Sequence, residues 1–161
     1  MNVSSVGGKV AMAGYGAYAG TKFALEAVSD ALRREVADFG VKIVVIEPGA
    51  VTTEMTGRLV IASERISSGM TAEQRGRYGA LMRAVIAQAQ AFTREGAGRP
   101  AEEAGRVIAD AIISKRPRTR YTVGRDAAII VRLARCVSDR MLDSLFARTL
   151  ERHHSKALPT P

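Results

Sequence analysis

The sequence has one cysteine, no tryptophan, four Phe, four Tyr and five prolines in 161 residues. Cys136 has no partner for an internal disulfide and no Cys or His beside it at a zinc-ligand spacing. That excludes a disulfide scaffold and a zinc module, and it fits a reducing, cytoplasmic setting. The longest apolar runs, such as Ala127 to Val131, fall far short of the roughly 20 residues that a membrane-spanning helix needs. Met1 is followed neither by a basic segment nor by a long apolar one, so no secretion signal is read. Acidic residues are in deficit, 16 against 24 Lys plus Arg, for a net charge of +8. The excess sits late, in Lys115 to Arg120 and from Arg132 to Arg152, with no nucleic-acid readout motif, and is read as a solvated face. What is present is a globular composition: 47% hydrophobic and 25% charged residues exclude disorder of the whole chain and allow a buried core.

The pattern along the chain is α/β. Met1 to Ser5 reads as the last step of a strand that has lost its beginning, and Val6 to Lys9 as the loop leaving it. From Ala17 to Phe39, Phe23, Ala27 and Ala31, with Ala24, Val28, Leu32 and Val36, recur at a helical period that Gly40 ends. Val41 to Ile46 follows as a β-branched run, expected of a strand covered on both faces in a parallel sheet. Pro48-Gly49 stops it. Ala50 to about Met70 shows no periodic face and is expected to be an irregular, mobile lid. Thr71 to Gln74 starts a helix running to Phe92, which Gly96-Ala97-Gly98 breaks, and Pro100 opens another to about Ser114. Glu102 and Glu103 suit the first turn of that helix and Lys115 its end. Arg120 to Gly124 reads as a short strand. Ala127 to Arg152 reads as one or two amphipathic helices with Ile129, Ile130, Leu133, Val137, Met141, Leu145 and Phe146 inward. A frayed tail follows His154, and there are no internal repeats.

The chemistry lies near the start. Tyr18 and Lys22 are four apart in the first helix, so their side chains leave one face a turn apart. A phenol is a weak acid/base at neutral pH, and an ammonium held near one favours phenolate. Ser5, thirteen residues earlier at a strand's carboxyl end, is placed to donate to the carbonyl oxygen that Tyr18 would protonate. Tyr-x-x-x-Lys alone is weak, since four Tyr and five Lys produce such a pair by chance roughly one time in eight. The added serine, buried strand and Pro48-Gly49 at its carboxyl end, where α/β sheets bind ligands, give it weight.

On Asn2-Val3-Ser4-Ser5, Tyr18-Ala19-Gly20-Thr21-Lys22 and Pro48-Gly49-Ala50-Val51-Thr52-Thr53 the sequence resembles the carboxyl-terminal half of the short-chain dehydrogenase/reductase family. Arg120 to Ala127 and Asp139 to Asp143 resemble its 17β-hydroxysteroid and retinol dehydrogenase-like branch. The resemblance implies a Rossmann-like, doubly wound parallel sheet and hydride transfer between NADP or NAD and a largely apolar alcohol or ketone. It implies Ser5, Tyr18 and Lys22 as catalytic residues, with Tyr18 the general acid or base. Lys22 would also hold the nicotinamide ribose, Pro48, Gly49 and Val51 would cup the nicotinamide, and Thr53 would bond the carboxamide or pyrophosphate. The family's amino-terminal half has no counterpart: no Thr-Gly-x-x-x-Gly-x-Gly turn, no residue selecting the dinucleotide, no Asn-Ala-Gly segment and no fourth catalytic Asn. The expectation is one NAD(P)-binding domain represented by its carboxyl-terminal part, residues 1–161, with a lid at about 50–96 and terminal helices at about 127–152. Such a chain alone is expected to be a poor enzyme, with the Val41 to Ile46 strand left partly exposed.

A reading of a different class is a non-catalytic dimerisation or interaction module, the 17–39 helix pairing with a copy of itself, as the family's equivalent helix does. A third is a basic surface module on Arg132 to Arg152 for peripheral membrane contact or nucleic acid. No metal site is read: His153 and His154 are adjacent near the tail and cannot face one ion from a helix. Cys136 is read as helix packing.

Overall fold

The computed structural model describes residues 1–93 and 98–157, with side chains through Arg152. In chain order its main elements are β1 (Asn2–Val3), α1 (Gly16–Glu35), β2 (Val45–Pro48), α2 (Glu54–Ser68), α3 (Ala72–Thr93), α4 (Ala101–Ile113), β3 (Arg120–Val123), α5 (Arg125–Cys136) and α6 (Asp139–Ala157). They form two compact units, one from Met1–Val51 and Arg99–Cys136, the other from the described residues of 52–98 and 137–161.

The first unit is built on a parallel sheet of order β1-β2-β3. Asn2 pairs with Val45 and Val3 with Ile46, while Val45 to Pro48 pair with Arg120 to Val123. The expected strand at 41–46 is thus displaced to 45–48. Asn2 N–H reaches back to Val44 O and Val45 N–H to Thr119 O, which leaves Val41 to Ile43 without a paired neighbour. Pro48 ends β2, where a missing N–H costs no ladder bond in the interior. β2 is central, so Val45, Ile46 and Glu47 are buried, and exposure is confined to Val41 and Lys42 upstream, with Ile43 half-buried. Val44, Ile46 and Val123 pack with Ala111 of α4, flanked by Ala104, Val107, Ile108 and Tyr121.

α1 ends in a short 3₁₀ turn (Ala37–Phe39) capped by Gly40 at φ 71°, a left-handed conformation that glycine adopts without strain. Its buried residues are Ala19, Glu26 and Ser29, while Phe23, Ala27 and Ala31, which set the helical period, are exposed. Phe23 and Val28 are exposed. A charge network described below draws the polar face inward. α5 turns its small side inward in the same way: Ala127 and Val131 are buried, whereas Ile129, Leu133 and Cys136 are exposed. Cys136 is therefore not the packing residue expected.

The second unit is helical. Residues 54–68, expected to be irregular, form α2. Its sheltered positions are Thr56, Gly57, Leu59, Val60, Ser63 and Ser67, a helical spacing carried partly by small polar side chains. Met55, Ile61 and Ile66 are exposed, so apolar residues alone gave no period. α3 opens on a capping box, Thr71 N–H to Gln74 Oε1 at 2.9 Å and Gln74 N–H to Thr71 Oγ1 at 3.2 Å. Gly96 and Ala97, expected to break it, lie outside the described residues. On α6, Met141 and Leu145 are exposed rather than inward, and Leu142 and Phe146 are half-buried.

Candidate active site

Ser5 follows β1 and caps the 3₁₀ turn Val6–Gly8. Its Oγ accepts from Gly7 N–H at 3.0 Å and makes a long 3.5 Å contact to Pro48 O at the end of β2. One lone pair is thus committed while the O–H is only weakly held. Tyr18 lies in the first turn of α1, half-buried. A methyl group built on Gly7 would stand 3.0 Å from Tyr18 Cε1 and 3.5 Å from Ser5 Oγ. The serine and the tyrosine ring therefore border one small space, kept open by the glycine. Lys22, one turn on, places Nζ 5.8 Å from the centre of the Tyr18 ring and donates to Val3 O at 3.0 Å. Gly8 closes the approach of turn to helix: a side chain there would meet Ser4 Oγ at 2.8 Å, Glu26 Cγ at 2.9 Å and Lys22 O at 3.1 Å. Three of the expected residues thus meet at the carboxyl end of the sheet.

Beneath them lies a charge network that hydrophobic patterning did not reveal. Lys9 Nζ is 2.8 Å from Glu26 Oε2 and 3.7 Å from Glu47 Oε1. Arg120 Nη2 is 3.0 Å from Glu26 Oε2 and 2.7 Å from Asp30 Oδ1, and its Nε lies 3.1 Å from Glu47 Oε1. Burial alone would push the Glu26 and Asp30 carboxyls up. Lys9, Ser4 and Arg120 around Glu26, and Arg120, Arg33 and Arg34 around Asp30, outweigh it and hold both below the ordinary range. Glu47 goes the other way: burial, then repulsion by Glu26, pushes its carboxyl up despite Lys9, Arg120 and Arg135. The one sequence signal was an acid inside the apolar strand Val44 to Ile46-Glu47.

The turn after β2 is fixed by backbone. Gly49 N–H donates to Val123 O at 3.1 Å, Arg99 N–H donates to Ala50 O at 2.9 Å, and Val51 bridges to Arg99 in parallel. Pro48, Gly49 and Val51 are half-buried there. Thr53 belongs to the second unit, where it is exposed at the start of α2 and its carbonyl accepts from Thr56 N–H and Oγ1. Among the described residues no group of three His, Cys, Asp or Glu is placed to hold a metal ion, and no helix is long and apolar enough to cross a membrane. The side chains of His153 and His154 lie outside the described residues.

The sequence model of short chain dehydrogenase matches residues 1–63. NADPH-dependent 3-dehydrocapnine reductase of Ornithobacterium rhinotracheale is 30% identical over 152 residues, 94% of this chain and 50% of that protein. 17-beta-hydroxysteroid dehydrogenase type 6 of Rattus norvegicus is 36% identical over 159 residues, 91% of this chain and 47% of that protein. Retinol dehydrogenase 16 of Rattus norvegicus is 30% identical over 148 residues, covering 91% and 46%. The chain thus spans about half the length of these relatives. The crystal structure of a short-chain dehydrogenase from Streptomyces avermitilis superposes with a TM-score of 0.56 at 24% identity, covering 93% of this chain and 48% of that one, a likeness of fold.

Proposed function

This chain belongs to the short-chain dehydrogenase/reductase family, in its hydroxysteroid and retinol dehydrogenase-like branch, and we propose that it carries the proton-transfer and nicotinamide side of an NAD(P)-dependent oxidoreductase acting on CH–OH groups. The observation that carries the proposal is the meeting of Ser5 and Tyr18 over Gly7, with Lys22 one turn along the same helix. The residues fit the nicotinamide end of a dinucleotide: an ammonium and a phenol share a helix face, and an open glycine turn lies at the sheet's carboxyl edge. When bound, NAD(P)(H) supplies or accepts the hydride. No residue of this chain is assigned to the adenosine half, and NADP and NAD are both retained.

Tyr18 donates its hydroxyl proton to the carbonyl oxygen during reduction and removes it from the alcohol during oxidation. Lys22 stabilises negative charge on the phenolic oxygen as the proton leaves and, turning from Val3 O, would hold the ribose hydroxyls of the bound dinucleotide. Ser5 exchanges its long contact with Pro48 O for a hydrogen bond to the substrate oxygen, where charge develops. Pro48, Gly49 and Val51 would cup the nicotinamide, with Val51 meeting the carboxamide through its backbone, and Thr53 would bond the carboxamide or pyrophosphate. The substrate is a largely apolar alcohol or ketone, about 50–96 acts as its lid, and the setting is cytoplasmic. Within that segment, α2 carries Met55, Ile61 and Ile66 as exposed apolar side chains.

The test is a thermal melt of the protein with NADPH or NADH. A ligand at about 100 times its Kd stabilises by about 2.7 kcal/mol, a readily measured rise in Tm. A rise with one dinucleotide supports the proposal, and indifference to both refutes dinucleotide binding by this chain.

A second reading has its own observation. Phe23 and Val28 of α1 are 44% and 59% exposed beside Gly20, Ala24, Ala27 and Ala31, an apolar face of small residues open to another helix. This supports a homo-oligomer through the 17–39 helix, with or without catalysis. Light scattering that shows a concentration-dependent oligomer, together with a melt blind to both dinucleotides, would favour the non-catalytic module.

A further inference from the structure

Gly49 and Gly124 sit at the carboxyl ends of β2 and β3, and at both the space of a side chain is filled from elsewhere. A methyl on Gly49 would lie 3.0 Å from Asp126 Oδ2 and 3.1 Å from Ala127 Cβ. One on Gly124 would collide with Asp126 Oδ1 and stand 2.7 Å from Arg99 Nε. Asp126, in the first turn of α5, thus projects its carboxylate between the two strand ends. Arg99 lies against it: Nε is 3.6 Å from Asp126 Oδ1, and Nη1 is 3.0 and 3.1 Å from the two Glu103 oxygens in the first turn of α4. The same residue's backbone receives the turn, through Arg99 N–H to Ala50 O and the bridge to Val51.

We propose that Arg99, gripped by Glu103 and Asp126, is the positioning residue that fixes the Pro48–Val51 turn. Its importance for catalysis rests on the function proposed above, in which that turn meets the nicotinamide. The guanidinium joins the first turns of two helices, and its main chain forms the outer wall of the turn. Without the side-chain grip, residues 49–51 are held through backbone alone, by Gly49 N–H to Val123 O, Arg99 N–H to Ala50 O and the bridge of Val51 to Arg99. Arginine suits this place because its planar fork satisfies Glu103 through one nitrogen while Nε faces Asp126. A conventional surface ion pair would contribute little. This one shares a residue with the turn it braces, so its effect should be local order more than global stability.

Amide hydrogen exchange on the 161-residue chain, with no dinucleotide present, tests this. In Arg99→Gln the amides of residues 49 and 99 are expected to exchange about tenfold faster, while those of Val45 to Glu47 and Tyr121 to Val123 stay within about twofold of wild type. Asp126→Asn, which keeps the shape and removes the charge, should reproduce the same selective acceleration. Arg99→Lys, whose ammonium still reaches an acid, should return both amides to within about threefold of wild type. The inference is overturned if residues 49 and 99 exchange at the wild-type rate in both Arg99→Gln and Asp126→Asn. It is equally overturned if all the core amides accelerate together, or if Arg99→Lys is as fast as Arg99→Gln. A negative dinucleotide melt would count against the oxidoreductase reading and leave this result intact.

Discussion

Replacing Arg120 by Met should be among the most damaging single changes in the first unit. One guanidinium serves three carboxylates, at 3.0 Å from Glu26, 2.7 Å from Asp30 and 3.1 Å from Glu47. The side chains of Glu26 and Glu47 retain 5% and 1% of their exposure, so water cannot take over. Methionine fills the stem's volume and leaves three acids facing Lys9 and Arg33. Breaking a buried pair by removing one partner costs about 3–5 kcal/mol. That is a large share of the roughly 5–15 kcal/mol by which domains are stable. With a urea m-value of about 2 kcal/mol/M, the midpoint followed by far-ultraviolet circular dichroism should fall by roughly 2 M. The sign of the pH dependence is specific. Glu26 and Asp30, held below the ordinary carboxylate range, stabilise the wild type above that range and lose their contribution as pH falls through it. Glu47, pushed up, contributes stability at acid pH and loses it as pH rises through its folded pKa. In Arg120→Met the unpaired acids favour protonation, so the deficit should be largest near pH 7 and shrink on acidification. Arg120→Met with Glu47→Gln should recover about half the loss. A loss below about 0.5 kcal/mol at pH 7, or a deficit that does not change with pH, would refute this account of the network.

Gly124→Ala meets both a φ of 103° and the Asp126 carboxylate, and should lower stability by about 1–3 kcal/mol in the same urea titration. Thr71→Ala removes half of the α3 capping box and should cost about 0.5–2 kcal/mol, with Gln74→Ala costing little more when added to it, because the two bonds act as a pair. Gly7→Ala places a methyl 3.0 Å from the Tyr18 ring and 3.5 Å from Ser5 Oγ. It should reduce ketone turnover about tenfold or more while lowering Tm by only a few degrees, since it fills the reacting space and leaves the core alone.

The motif residues were legible because chemistry fixes their spacing: Tyr18 and Lys22 had to share a face if both lay on one helix, and they do. The parallel α/β architecture was legible from Val41 to Ile46 followed by helix and strand, although the strand itself begins at Val45. Its start depends on where β1 and β3 lie, which no local propensity encodes. α2 escaped because Thr56, Ser63 and Ser67 supply much of its sheltered side, and a hydrophobic period does not count hydroxyls. The inward face of α5 was misjudged, and that of α1 was not legible, for a related reason. Glu26 and Ser29 turn inward to partners 17 to 94 residues away, and Ala127 is buried by close approach, leaving Phe23, Ile129 and Leu133 outside. The grip of Arg99 on Glu103 and Asp126 was equally hidden, because Asp126 lies 27 residues further along the chain and only the sheet brings its turn near.

The proposed function rests on Tyr18 as the proton donor of a nicotinamide-dependent oxidoreductase. The direct measurement is the rate of NADPH or NADH oxidation with a panel of apolar ketones, wild type against Tyr18→Phe, with Tm recorded for each. The wild type is expected to show a ketone-dependent rate and Tyr18→Phe a fall of about 10²-fold or more at unchanged Tm. A phenylalanine variant that keeps the rate, or a wild type inactive with both dinucleotides, would contradict it.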